Sequence, residues 1–93
     1  MVLMIAYDLR APNDKVADYQ KIGARIQEEF PDACHIEKSV WIVQTDKTAA
    51  DVAQFIRSAG YTPNVLLVAR LTDEWCGVGL GEERAKWLAD AQF

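Results

Sequence analysis

ACHIEKSVWIVQT, residues 33–45, decides the fold. Its VWIV run is β-branched and aromatic, the composition of a strand. Glu37-Lys38-Ser39 interrupts the apolar character. This predicts either a bulge in one strand or two short strands joined there. Upstream, residues 2–9 alternate at period 2: Leu3, Ile5, Tyr7 and Leu9 on one face, Val2, Met4, Ala6 and Asp8 on the other. Between these stretches, Val16, Tyr19, Ile22, Ile26 and Phe30 recur at helical spacing, and Pro31 stops the helix. Asn13 or Asp14 is expected to cap its start.

Downstream, Thr48-Ala-Ala-Asp51 reads as a capping box, followed by Val52, Phe55, Ile56 and Ala59 on one stripe. Gly60 suits the left-handed position after that helix. NVLLVARLT, residues 64–72, is a strand that is apolar on both faces until Arg70. DEWCGVGLG then leaves room for a short edge strand. GEERAKWLADAQF predicts a last helix with Trp87, Leu88 and Ala91 on one side. Counting residues 33–45 as two strands gives βαββαβ. That is an α+β sandwich of ferredoxin-like plan with a short C-terminal strand/helix extension, one domain over residues 1–93.

Composition narrows the function. Apolar residues make up 51% and charged residues 26%, which is globular. Asp and Glu outnumber Lys and Arg by 14 to 10, a net charge of −4. That balance argues against strong non-specific nucleic-acid binding. No stretch approaches the roughly 20 apolar residues of a membrane span. The opening residues lack a basic leader, so a cytoplasmic protein is expected, with Cys34 and Cys76 as free thiols.

The ferredoxin-like plan sets helices on one sheet face. Val2, Met4 and Ala6 would then form an apolar open face, which a second copy could cover across a two-fold axis. Asp8 would stand at the rim of that homodimer, where two carboxylates brought together recruit a cation such as magnesium. The structural alternative is that Asp8 accepts amides of the Arg10–Asn13 loop.

Tyr7-Asp8-Leu9 closing the first strand, and Glu37-Lys38-Ser39-Val40-Trp41 within the broken second, resemble the CRISPR-associated protein two family. Pro12, Gln44-Thr45-Asp46 and the stretch from Trp75 to Leu88 look closer to its small uncharacterised bacterial and phage branch. The resemblance implies a ferredoxin-like homodimer. Some members are magnesium-dependent endonucleases on RNA or DNA, and others are non-catalytic scaffolds. It matches Asp8 to the aspartate that binds metal between protomers, and Ser39 to the serine of the second-strand motif. Trp41 falls near an aromatic position, and Arg10 falls where a polar or basic residue follows the strand. Arg10 and Lys15 are the cations nearest Asp8 in sequence. Lys38 and Arg70 are candidates to flank it, with parity alone leaving the matter open.

Other signals are thinner. Cys34 and His35 would point to opposite faces, which argues against a shared metal or a nucleophile pair and favours His35 as a strand-edge residue. Gly77-Val-Gly79-Leu-Gly81 lacks the Lys-Ser/Thr of a phosphate loop and leads into Glu82 and Glu83. Three functions stand in order: a metal-dependent endonuclease acting through Asp8, a non-catalytic dimeric module docking a protein partner, and a small-ligand-sensing domain.

Overall fold

A computed structural model describes residues 1–58 and 62–93. The alternating stretch forms strand β1, Val2–Asp8. Helix α1 spans Val16–Glu29 and closes on Phe30, whose amide donates to the Ile26 carbonyl at 2.8 Å. Its start differs from the expectation. Neither Asn13 nor Asp14 caps it. Lys15 holds the cap position, and its amide donates to Asp18 Oδ2 at 3.1 Å, so the acid reaches back from the first turn. Val16 is 66% exposed, and the buried stripe begins one turn later at Tyr19.

Residues 33–45 divide into β2, Cys34–Glu37, and β3, Val40–Gln44, joined by Lys38-Ser39. Both sequence alternatives hold together here, because the register also slips between His35 and Glu37 and leaves a bulge beside the turn. Helix α2, Ala49–Arg57, starts on the expected box. The Asp51 amide donates to Thr48 Oγ1 at 3.1 Å, and the Thr48 amide to Asp51 Oδ2 at 3.4 Å. The expectations for Ala59 and Gly60 lie outside the described residues. Strand β4, Val65–Leu71, and helix α3, Gly81–Asp90, complete the chain. Residues 72–80 form no strand. Gly79 at φ +72° and Gly81 at φ +78° turn the backbone into the left-handed region, where extended pairing ends.

The result is an α+β fold with a four-stranded sheet, order β2-β3-β1-β4, every pair antiparallel. This is compatible with a small ferredoxin-like fold. β1 parity sorts the core into two layers. Leu3, Ile5 and Tyr7 pack with Trp41 and Val43 under α1 and α2. On the other face Val2, Cys34 and Ile42 pack under Leu88 of α3. The expectation of helices on one face only is therefore corrected. The last helix returns across the opposite face because Trp87, Leu88 and Ala91 must also leave water. Val2 is 0% exposed within its own chain, so it is a core residue and not an interface residue.

α3 covers only part of that face. Register places Met4 opposite Ala69, Ala6 opposite Leu67 and Asp8 opposite Val65. Met4 and Ala6 stay half-buried, while Val65 is 47% and Leu67 56% exposed. Among the described residues no helix is long and apolar enough to cross a membrane.

Removing the α3 anchor should be costly. Leu88→Ala is expected to lose about 2–5 kcal/mol in urea unfolding, from lost transfer energy plus a cavity. Val16→Ala, at an exposed site, should stay within about 0.5 kcal/mol of the parent.

Candidate functional site

β1 delivers Asp8 to the end of the sheet, where it is exposed. Its carboxylate does not collect loop amides. The loop satisfies itself: the Arg10 amide donates to Asn64 Oδ1 at 2.8 Å, and the Asn13 amide to the Arg10 carbonyl at 2.9 Å. The Asp8 backbone carbonyl accepts from the Asn64 amide at 3.0 Å, which ties the start of β4 to the end of β1. The carboxylate instead accepts from the Tyr19 hydroxyl at 3.1 Å. The same hydroxyl accepts from the buried Leu9 amide at 3.2 Å. Tyr19 thus passes a proton donor to Asp8 while satisfying a backbone donor that would otherwise be stranded.

Lys38 comes to this same tyrosine, its Nζ 4.5 Å from the centre of the ring. Ser39 is close by, because its carbonyl accepts from the Tyr7 amide at 3.1 Å and extends the β1–β3 ladder. Tyr7 stacks on Tyr19 with ring centroids 6.0 Å apart. Asp8, Lys38 and Ser39 are therefore brought together around two tyrosines. Arg10 and Lys15 remain exposed, and among the described residues no ion pair joins either to Asp8. Arg70 pairs with Leu3, toward the far end of β1, so it does not flank Asp8.

Trp41 is 4% exposed and lies on the helix face, opposite Ile5 in register, so it is a core residue with no free surface for a base. Its benzo edge packs on Gly23, where an added Cβ would meet Cζ2 at 3.0 Å. The outer layer is His35, stacked on Trp41 at 4.0 Å and 7°. Among the described residues the buried Trp41 indole N–H has no hydrogen-bond partner.

No family model, curated protein or solved structure matches this chain. The site must therefore be judged on its own chemistry. Among the described residues no three His, Cys, Asp or Glu side chains gather to hold a metal. One chain offers the single carboxylate of Asp8 and the neighbouring Tyr19 hydroxyl. Cys34 is buried beneath α3 while His35 faces the helices, as alternation along β2 requires.

Tyr19 was legible in the sequence only as one member of an apolar stripe. The available signal was its hydroxyl, which a tyrosine with a buried ring must still satisfy. Asn64 carried a similar signal as a turn former next to a strand.

Burial pushes the Tyr7 hydroxyl above its ordinary pKa of 10.0; the Trp41 indole opposes this and Tyr19 adds to it. Burial likewise pushes the Cys34 thiol above 9.0, with Arg84 opposing. Both groups ionise more readily in the unfolded chain, which binds fewer protons once pH exceeds those ordinary values. Stability should therefore fall as pH rises through 9 and then 10. Tyr7→Phe should flatten the upper part of that fall in urea midpoints measured across the range. Separately, Tyr19→Phe should cost about 1–3 kcal/mol at neutral pH, because it strands the Leu9 amide.

Proposed function

We propose that this chain acts as a homodimer of the CRISPR-associated protein two type, on the ferredoxin-like βαββαβ plan with α3 appended. In this reading it is a cytoplasmic endonuclease on RNA or DNA that uses Asp8 with magnesium. The observation that supports this is the position of Asp8. It stands exposed at the end of β1, beside the uncovered apolar half of the open face formed by Met4, Ala6, Val65 and Leu67. β4 is an edge strand of seven residues, and among the described residues no strand pairs with its outer side. A two-fold contact across this patch covers the apolar area and sets two Asp8 carboxylates at one rim.

The metal fit depends on that dimer. Magnesium takes one or two carboxylates plus waters. Asp8 from each protomer supplies the pair, and Tyr19 orients the carboxylate through its hydroxyl. The metal, when bound, would stabilise charge on the phosphate oxygens. Lys38 is the cation placed next to this group, through its contact with Tyr19. Ser39 lies within the same cluster by its ladder bond to Tyr7.

A second reading is a non-catalytic dimeric module that docks a basic protein partner, with the homodimer retained. The net charge of −4 favours it, as does the engagement of Asp8 by a neutral donor.

The mass in solution comes first. A dimer for the parent and a monomer for Leu67→Asp are expected, and a parent that runs as a clean monomer removes the proposed two-fold contact. Labelled single-stranded RNA and double-stranded DNA with magnesium or manganese then divide the readings. Cleavage that drops at least a hundredfold in a dimeric Asp8→Ala supports the nuclease. A folded dimer without cleavage supports the docking module.

A further inference from the structure

The cleft between α1 and the β2–β3 hairpin opens beside the Asp8 site and shares Tyr19 and Lys38 with it. Its volume is about 370 Å3, within the range of small-molecule sites. One wall is a stripe of α1 from Val16 through Gly23 to Gln27; the other is formed by His35, Lys38 and Trp41. We propose that this cleft binds a free mononucleotide, a planar base carrying a phosphate.

Three observations carry the assignment. First, the cleft holds a prepared stacking plane. The His35 ring lies 7° from parallel on Trp41, and Trp41 is itself fixed against Gly23 of α1. His35 is exposed, so a third ring can extend a stack whose lower member cannot move away. Second, the charge of the cleft is opposite to that of the chain. Fourteen acids are spread over the sequence, yet none lines this cleft, and Lys38 is its one charged residue. The Lys38 ammonium lies over the Tyr19 ring, and among the described residues it makes no ion pair. A lone cation at the mouth of an aromatic cleft suits a phosphate beside a flat ring. Third, Gln20 and Gln27 line the α1 wall from exposed positions. Their amides offer both donors and acceptors to the edge of a base.

A second groove makes the contrast. Asp32, Glu83 and Asp90 line it, and its one cation, Lys86, is already paired with Asp90 at 3.2 Å. That groove repels an anion.

Adenosine monophosphate is the probe, followed by calorimetry and by amide chemical shifts on the parent chain. Saturable binding is expected, with shifts centred on Gly23, His35 and Lys38. Adenosine and ribose 5-phosphate should each bind at least tenfold more weakly, since each lacks one half of the recognised group. Lys38→Gln should bring adenosine monophosphate down to the level of adenosine. His35→Ala should weaken adenosine monophosphate and adenosine alike by at least tenfold. Both replaced residues are exposed, and unchanged spectral dispersion confirms that the variants fold. Leu67→Asp should bind as the parent does, and binding is read without magnesium, so failure of the nuclease or dimer reading leaves this result intact. Absence of adenosine monophosphate binding at millimolar concentration overturns the proposal. Binding that survives the double variant at His35 and Lys38 overturns it too, as does a response to single-stranded oligonucleotides alone.

Discussion

β1 sits in the middle of the sheet and is apolar on both faces as far as Asp8. A central strand of this kind cannot leave either face in water. Everything else in the structure answers that demand. α1 and α2 cover the face of Leu3, Ile5 and Tyr7. α3 folds back over Val2, Ile42 and Cys34 on the other. Where α3 stops, Met4, Ala6 and Leu67 are left only partly covered. Asp8 is the polar residue at the border of that remainder.

The end of β1 is organised by one side chain from another element. Tyr19 buries its ring against Tyr7 and uses a single oxygen to serve both the Leu9 amide and the Asp8 carboxylate. The oxygen accepts one hydrogen bond and donates another, so its proton is committed toward the acid. The hairpin turn reaches the same ring through Lys38. A helix, a strand end and a turn that are far apart in sequence are thereby held to one geometry.

Much of the fold was legible because its signals are local. The period of β1, the Thr48 capping box and the stop at Pro31 each act within a few residues, and each appears where the sequence places it. The breakdown of apolar character at Glu37-Lys38-Ser39 likewise marks a real turn. Destinations were harder to read. The stripe of Trp87 and Leu88 shows that α3 must bury one side, but not which sheet face receives it, so Val2 was assigned to a partner that its own chain replaces. An aromatic residue in a strand reads the same whether it faces solvent or a helix; for Trp41 the distinction lies in register, where pairing with Ile5 commits it to the core. Of the candidate site, Asp8, Lys38 and Ser39 were found by position, whereas Tyr19 was hidden by its membership of an apolar stripe.

The outer edge of β4 bears on how the protein behaves in concentrated solution. From Val65 to Ala69 the strand is uncharged and lacks proline. Charged side chains and prolines are the features that natural sheets use to discourage indiscriminate pairing of edges. Without such a gatekeeper between Val65 and Ala69, mutual repulsion from the excess of four negative charges opposes pairing of copies there. Acidification removes that repulsion as carboxylates take up protons, and salt screens it. Colloidal stability in this protein is therefore tied to its charge balance, and this edge becomes a template for open-ended association once the charge is gone.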